Sequence, residues 1–140
     1  MISLKEYIQI NEGVFDVKPV TYKDFAMANQ QLELCSLDKA NIQDNASIEK
    51  IYFNTDLKLP NGSTVKKQVN DNKAMFKKFN LAGFVEGKTD SDMEKLLVEI
   101  GKAGIEIGDD TYSNSEGTVI VRRLETDETN KIMMIIKFKK

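Results

Sequence analysis

Apolar positions along the chain fall into helical spacing in some stretches and strand spacing in others. Met93, Leu96, Leu97 and Ile100 recur at i, i+3, i+4 and i+7 and predict a helix from Thr89 to Ala103. Thr89 and Asp92 supply its cap, Asp90 and Asp92 complement its positive end, and Gly104 stops it. Thr21 and Asp24 open a second helical run reaching about Leu37, with Phe25, Ala28, Gln31, Leu32 and Cys35 near one face. A third run covers Asn70 to Phe79. Leu4, Tyr7, Ile8 and Asn11 give a narrow stripe on a short helix at the N-terminus.

Strand signals lie between these runs. Val14 to Val20 reads as extended, with Pro19 biasing Lys18 away from helix. Ile51, Phe53, Leu57 and Leu59 alternate with polar neighbours across Ile48 to Leu59. Pro60-Asn61-Gly62-Ser63 then forms a turn, and Thr64 to Val69 is expected to return as the partner strand of a hairpin. Gly83 and Gly87 bracket an expected loop. Ile105 and Ile107 start a further strand, followed by a polar loop from Gly108 to Gly117. Thr118 to Leu124 and Lys131 to Lys139 make a second hairpin around Thr126–Asn130. Met133-Met134-Ile135-Ile136 is apolar without alternation, which predicts a central strand covered on both faces. The expected fold class is α+β: a small single domain with a mixed or antiparallel sheet. Two β-hairpins and an extra strand build the sheet, two or three helices cover one face, and a short N-terminal helix precedes it.

Composition narrows the function. A chain of 140 residues is one domain by length and buries about two-thirds of its unfolded surface. Its net charge of −2 argues against a general nucleic-acid binder and against a strongly acidic mimic of DNA. No stretch approaches the roughly twenty apolar residues of a membrane helix, and Glu6 and Glu12 interrupt any secretory signal. The single cysteine, Cys35, excludes an internal disulfide and reads as a small buried hydrophobe among leucines. The absence of histidine removes the usual general base and most zinc sites.

The first thirteen residues form a unit of their own. Ser3 and Glu6 have capping-box spacing, Ile2 and Tyr7 make a hydrophobic staple, and Gly13 tolerates the left-handed conformation that ends a helix. A helix of about ten residues is marginal alone, so it must dock on its own domain or on a partner. The pattern Leu or Ile, any residue, Glu occurs at Leu4-Lys5-Glu6, Ile10-Asn11-Glu12 and Leu97-Val98-Glu99, and only the middle copy is followed by a small residue.

With Tyr7-Ile8 as an aromatic–aliphatic pair and Ile10, Glu12 and Gly13 as a cleavage site, this segment resembles a removable capsid-targeting peptide. Such leaders belong to head-packaged accessory and internal proteins of T-even-type and related tailed bacteriophages. The resemblance covers about a tenth of the chain and does not extend to the domain behind it. It implies a leader over residues 1–12 that docks through Leu4, Tyr7 and Ile8 on the prohead scaffold or core. It also implies cutting by the prohead protease after Glu12, which leaves a mature domain from residue 13 to 140. The implied location is the phage head and then the host cytoplasm, where some members of this class inhibit host defence enzymes.

Other candidate sites are weaker. Lys66, Lys67, Lys73, Lys77 and Lys78, beside Phe76 and Phe79, form one basic cluster that could meet an anionic partner. The favoured reading is a solvated helix face with its phenylalanines in the core. Asp109-Asp110 with Glu116 could offer oxygen ligands to a hard cation, but the order is not that of an EF-hand loop, and solvated loop charge fits better. Arg122-Arg123 places one arginine on each face of a strand, with a salt bridge expected. The glycines assemble no phosphate loop. No catalytic constellation, metal site or cofactor site is found, so the chain is expected not to be an enzyme. An enzyme without histidine would rest on carboxylates or lysine alone. The expected partners are the prohead scaffold or core, the prohead protease and a host protein, with weak or no direct nucleic-acid binding and no membrane. The alternative is an intracellular, non-enzymatic protein-binding module whose N-terminal helix is permanent.

Overall fold

The computed structural model describes residues 20–29, 32, 34, 45–79, 81–104, 106–108, 111–114 and 117–139. Helix α1 spans Tyr22–Ala28, α2 Val65–Asp71, α3 Lys73–Lys78 and α4 Asp90–Lys102. The strands are β1 Ser47–Asn54, β2 Phe84–Lys88, β3 Glu106–Gly108, β4 Thr111–Asn114, β5 Gly117–Glu125 and β6 Asn130–Lys139. They form one six-stranded sheet in the order β2-β1-β6-β5-β4-β3. β1 and β2 run parallel and every other neighbouring pair is antiparallel, so the sheet is mixed and the α+β class holds.

The helix expected from Thr89 to Ala103 is α4. The Thr89 hydroxyl accepts from the Asp92 backbone N–H at 3.2 Å, and the Asp92 carboxylate accepts from the Thr89 N–H at 3.2 Å, which closes a capping box. The β5–β6 hairpin also forms, and β6 is central. The register pairs Arg122 with Met134 and Arg123 with Ile132, leaving Met133 as the extra residue of a bulge. Met133 and Met134 therefore both enter the same core layer, which explains the run without alternation.

Five expectations change. Thr111–Asn114, expected within a polar loop from Gly108 to Gly117, is strand β4 and pairs with β3 and β5. Thr64 to Val69 does not return as a strand. After the turn at Pro60–Gly62, where Gly62 has φ 91°, Thr64 caps helix α2 by accepting from the Lys67 N–H at 3.0 Å. Val65 and Val69, four residues apart, both lie fully buried, whereas a strand would have placed Lys67 on that same face. Phe84–Lys88, expected as a loop between two glycines, is the edge strand β2, with Gly87 at φ 88°. The run opened by Thr21 stops as a helix at Ala28. The Asn29 side chain turns back to donate to the Phe25 carbonyl at 2.8 Å and competes with the next turn. The helices also do not share one face: four are described, and they divide between two layers.

One layer is Phe25, Val65, Val69 and Phe76 from α1–α3 against Ile51, Phe53, Ile120, Met134 and Ile136 of the sheet. Phe76 meets Phe53, Phe84 and Phe25 at ring centroid separations of 5.9, 5.1 and 6.1 Å. The other layer is Met93 and Ile100 of α4 against Tyr52, Val119, Val121, Ile132 and Ile135. The predicted N-terminal helix lies outside the described residues.

Candidate functional site

The docking residues Leu4, Tyr7 and Ile8 and the cleavage residues Ile10, Glu12 and Gly13 lie outside the described residues. So do Cys35, Asp109, Asp110 and Glu116.

The basic cluster is brought together on two short helices. Val65 and Val69 point α2 inward and Phe76 points α3 inward, which leaves Lys66, Lys67, Lys73, Lys77 and Lys78 all exposed. Two of them are committed to neighbours: Lys67 pairs with Asp71 at 2.8 Å within α2, and Lys73 reaches Glu86 of β2 at 3.5 Å. Lys66, Lys77 and Lys78 form no ion pair with a described residue. The aromatic partners are not available for stacking a base, because Phe76 is buried in the ring cluster and Phe79 packs against the same core. What remains is a diffuse positive surface with no exposed aromatic ring among the described residues of α2 and α3.

Asp90 and Asp92 serve the fold. Asp92 accepts from the Thr89 backbone and hydroxyl, and those two bonds hold its carboxyl below the usual aspartate range. Asp90 accepts from the buried amide of Asn54 and meets Lys131 at 3.5 Å. Among the described residues no group of His, Cys, Asp or Glu has the arrangement of a metal site.

One concave feature was not anticipated. β5 continues to Glu125 although its pairing with β4 ends at Ile120, and β6 begins at Asn130 although its pairing with β1 starts only at Met134. The end of the β5–β6 ribbon thus runs past both neighbours, and the turn carrying Pro60 stands beside it. Between them lies a groove of about 400 Å³, lined by Pro60, Arg122, Arg123, Leu124, Glu125, Asn130 and Met133. Strand alternation puts Arg122 on the same face as Ile120 and Arg123 on the face of Val121, so the expectation of one arginine per face holds. Arg122 has no ion-pair partner among the described residues. The signal available beforehand was the arginine doublet opposite the non-alternating methionines, where a bulge can re-aim a side chain.

No family model, curated protein or solved structure matches this chain.

Proposed function

We propose that this protein is a phage head-packaged accessory protein. Residues 1–12 target it to the prohead through the scaffold or core, the prohead protease cuts between Glu12 and Gly13, and the domain from Gly13 to Lys140 acts by binding. The observation that carries this reading is the combination of Tyr7-Ile8 with Ile10-Asn11-Glu12-Gly13 behind a capped helix start at Ser3 and Glu6. All ten described elements, from Tyr22 to Lys139, lie downstream of the proposed scissile bond, so cutting there removes none of them. The exposed lysines of α2 and α3 offer the mature domain a surface for an acidic partner, and a host protein met after injection is the partner this reading favours.

The test is the intact mass of the protein recovered from purified particles. The expected mass lacks Met1 to Glu12. Glu12→Gln is expected to abolish processing, because the site needs the carboxylate. Retention of Met1 in particles, or absence of the protein from them, overturns the proposal and leaves a permanent N-terminal helix on a binding module.

A further inference from the structure

The segment between β1 and α2 contains the chain's single Asn-Gly step, Asn61-Gly62. It lies in a β-turn from Leu59 to Gly62 with Pro60 in the second position, closed by the Gly62 N–H donating to the Leu59 carbonyl at 2.9 Å. The Ser63 N–H and hydroxyl both donate to the Asn61 carboxamide oxygen, at 3.0 and 2.8 Å. Asn61 and Gly62 are exposed, and a Cβ added at Gly62 would meet nothing within 4 Å.

An asparagine side chain is one ring closure away from the backbone nitrogen that follows it. When that nitrogen gives up its proton to solvent, it can attack the carboxamide carbon and form a succinimide, with ammonia leaving. Water then opens the ring at either carbonyl and leaves aspartate or isoaspartate. A following glycine favours the attack because it has no side chain to hinder it.

We infer that Asn61 is a deamidation site and that the folded turn gates it. The protein holds both reacting groups. The proton that Gly62 must lose faces the Leu59 carbonyl rather than water, and the Asn61 carboxamide is fixed by its two Ser63 donors. The reaction therefore proceeds through an opened turn, at a rate set by the fraction of molecules in which these bonds are broken. Pro60 to Ser63 are exposed or half-buried, so opening is local and leaves the core in place. Each event adds a negative charge to the turn. The isoaspartyl product also lengthens the main chain between Leu59 and Ser63, where the Leu59 N–H donates to the Ser63 carbonyl at 2.8 Å. This inference does not depend on the N-terminal leader.

The test incubates the full 140-residue chain at mildly alkaline pH, folded and held unfolded in guanidinium chloride. The readout is the tryptic peptide from Leu59 to Lys66, in which Asn61 is the only amide side chain. Its aspartyl and isoaspartyl forms are resolved by chromatography and mass. The unfolded chain is expected to react at least about tenfold faster than the folded protein. Ser63→Ala removes one donor to the carboxamide, and Pro60→Ala widens the conformational range of the opened turn. Each is expected to speed the reaction in the folded protein about two- to fivefold. Urea midpoints of both variants are measured alongside, and acceleration greater than their change accounts for locates the gate in the turn. Equal rates in the folded and unfolded chain, no reaction at Asn61 in either, or unchanged rates in both variants overturns the inference. So does acceleration no larger than the loss of global stability explains.

Discussion

The side-chain amide of Asn54 donates to a carboxylate oxygen of Asp90, thirty-six residues further along the chain. Asn54 is the fully buried last residue of β1, and Asp90 is the first residue of α4. Lys131 of β6 reaches the same carboxylate at 3.5 Å. Three elements are therefore fastened at one end of the sheet, where β1 and β2 finish and α4 starts.

Removing the amide should be felt there. Asn54→Ala takes away the buried donor and leaves Asp90 with the partly exposed Lys131 alone. The expected loss is about 1–3 kcal/mol of unfolding free energy, measured by urea denaturation. Asn54→Asp should lose more, because it sets a second carboxylate against the first. A change below about 0.5 kcal/mol in both variants would show that the contact contributes nothing to stability.

The capping box of α4 predicts a dependence on acid. Hydrogen bonds from the Thr89 backbone and hydroxyl lower the Asp92 pKa in the folded protein relative to the unfolded chain. The stabilisation is therefore present above the unfolded value of about 3.9 and is lost as pH falls through the folded value. Thr89→Ala should lower the urea midpoint at neutral pH and flatten the acid limb of its pH profile. An unchanged acid limb in that variant would remove Thr89 as the cause.

The elements legible in the sequence are those whose signals are local. Met93, Leu96, Leu97 and Ile100 with the Thr89–Asp92 cap specify α4 within fifteen residues, and β5 and β6 adjoin across a short polar loop. The misread segments had local patterns that fit two answers, or partners far away. Val65 and Val69 satisfy both strand and helix spacing until the exposure of Lys67 decides between them. Strand β2 is defined by parallel pairing with β1, and its own sequence carries the interruption at Gly87. At the candidate groove, the arginine doublet was visible and its division between faces was correct. The groove itself was not legible, because it depends on a bulge at Met133 and a turn at Pro60 brought together only by the tertiary fold.

Tyr52 gives a second pH prediction, at the alkaline end. Its ring is buried in the layer beneath α4, and burial, followed by the charges of Glu49 and Glu99, raises the phenol pKa. A raised folded pKa means that the stabilisation is fully present below the unfolded value of about 10 and is lost as pH rises through the folded value. The unaltered protein should therefore lose stability in strong alkali, and Tyr52→Phe should reduce that slope. In a spectroscopic titration of the four tyrosines, this substitution should remove one late-ionising component. Equal alkaline slopes in the two proteins would dissociate the loss from Tyr52.

Two glycines should respond to the same substitution with opposite signs. A Cβ added at Gly117, the first residue of β5, would stand 2.6 Å from the Phe138 carbonyl oxygen of β6. That oxygen belongs to the backbone of a central strand and cannot rotate aside, so Gly117→Ala should destabilise by about 1–3 kcal/mol. A Cβ added at Gly101, in the last turn of α4, would meet nothing within 4 Å. There the change only removes the conformational freedom of a helical glycine, and Gly101→Ala should stabilise by about 0.5–1 kcal/mol. Urea midpoints of the two variants against the unaltered protein provide the measurement. A stabilising Gly117→Ala would mean that the β5–β6 approach at Phe138 is looser than the strand register requires. A destabilising Gly101→Ala would mean that the last turn of α4 is not helical in solution.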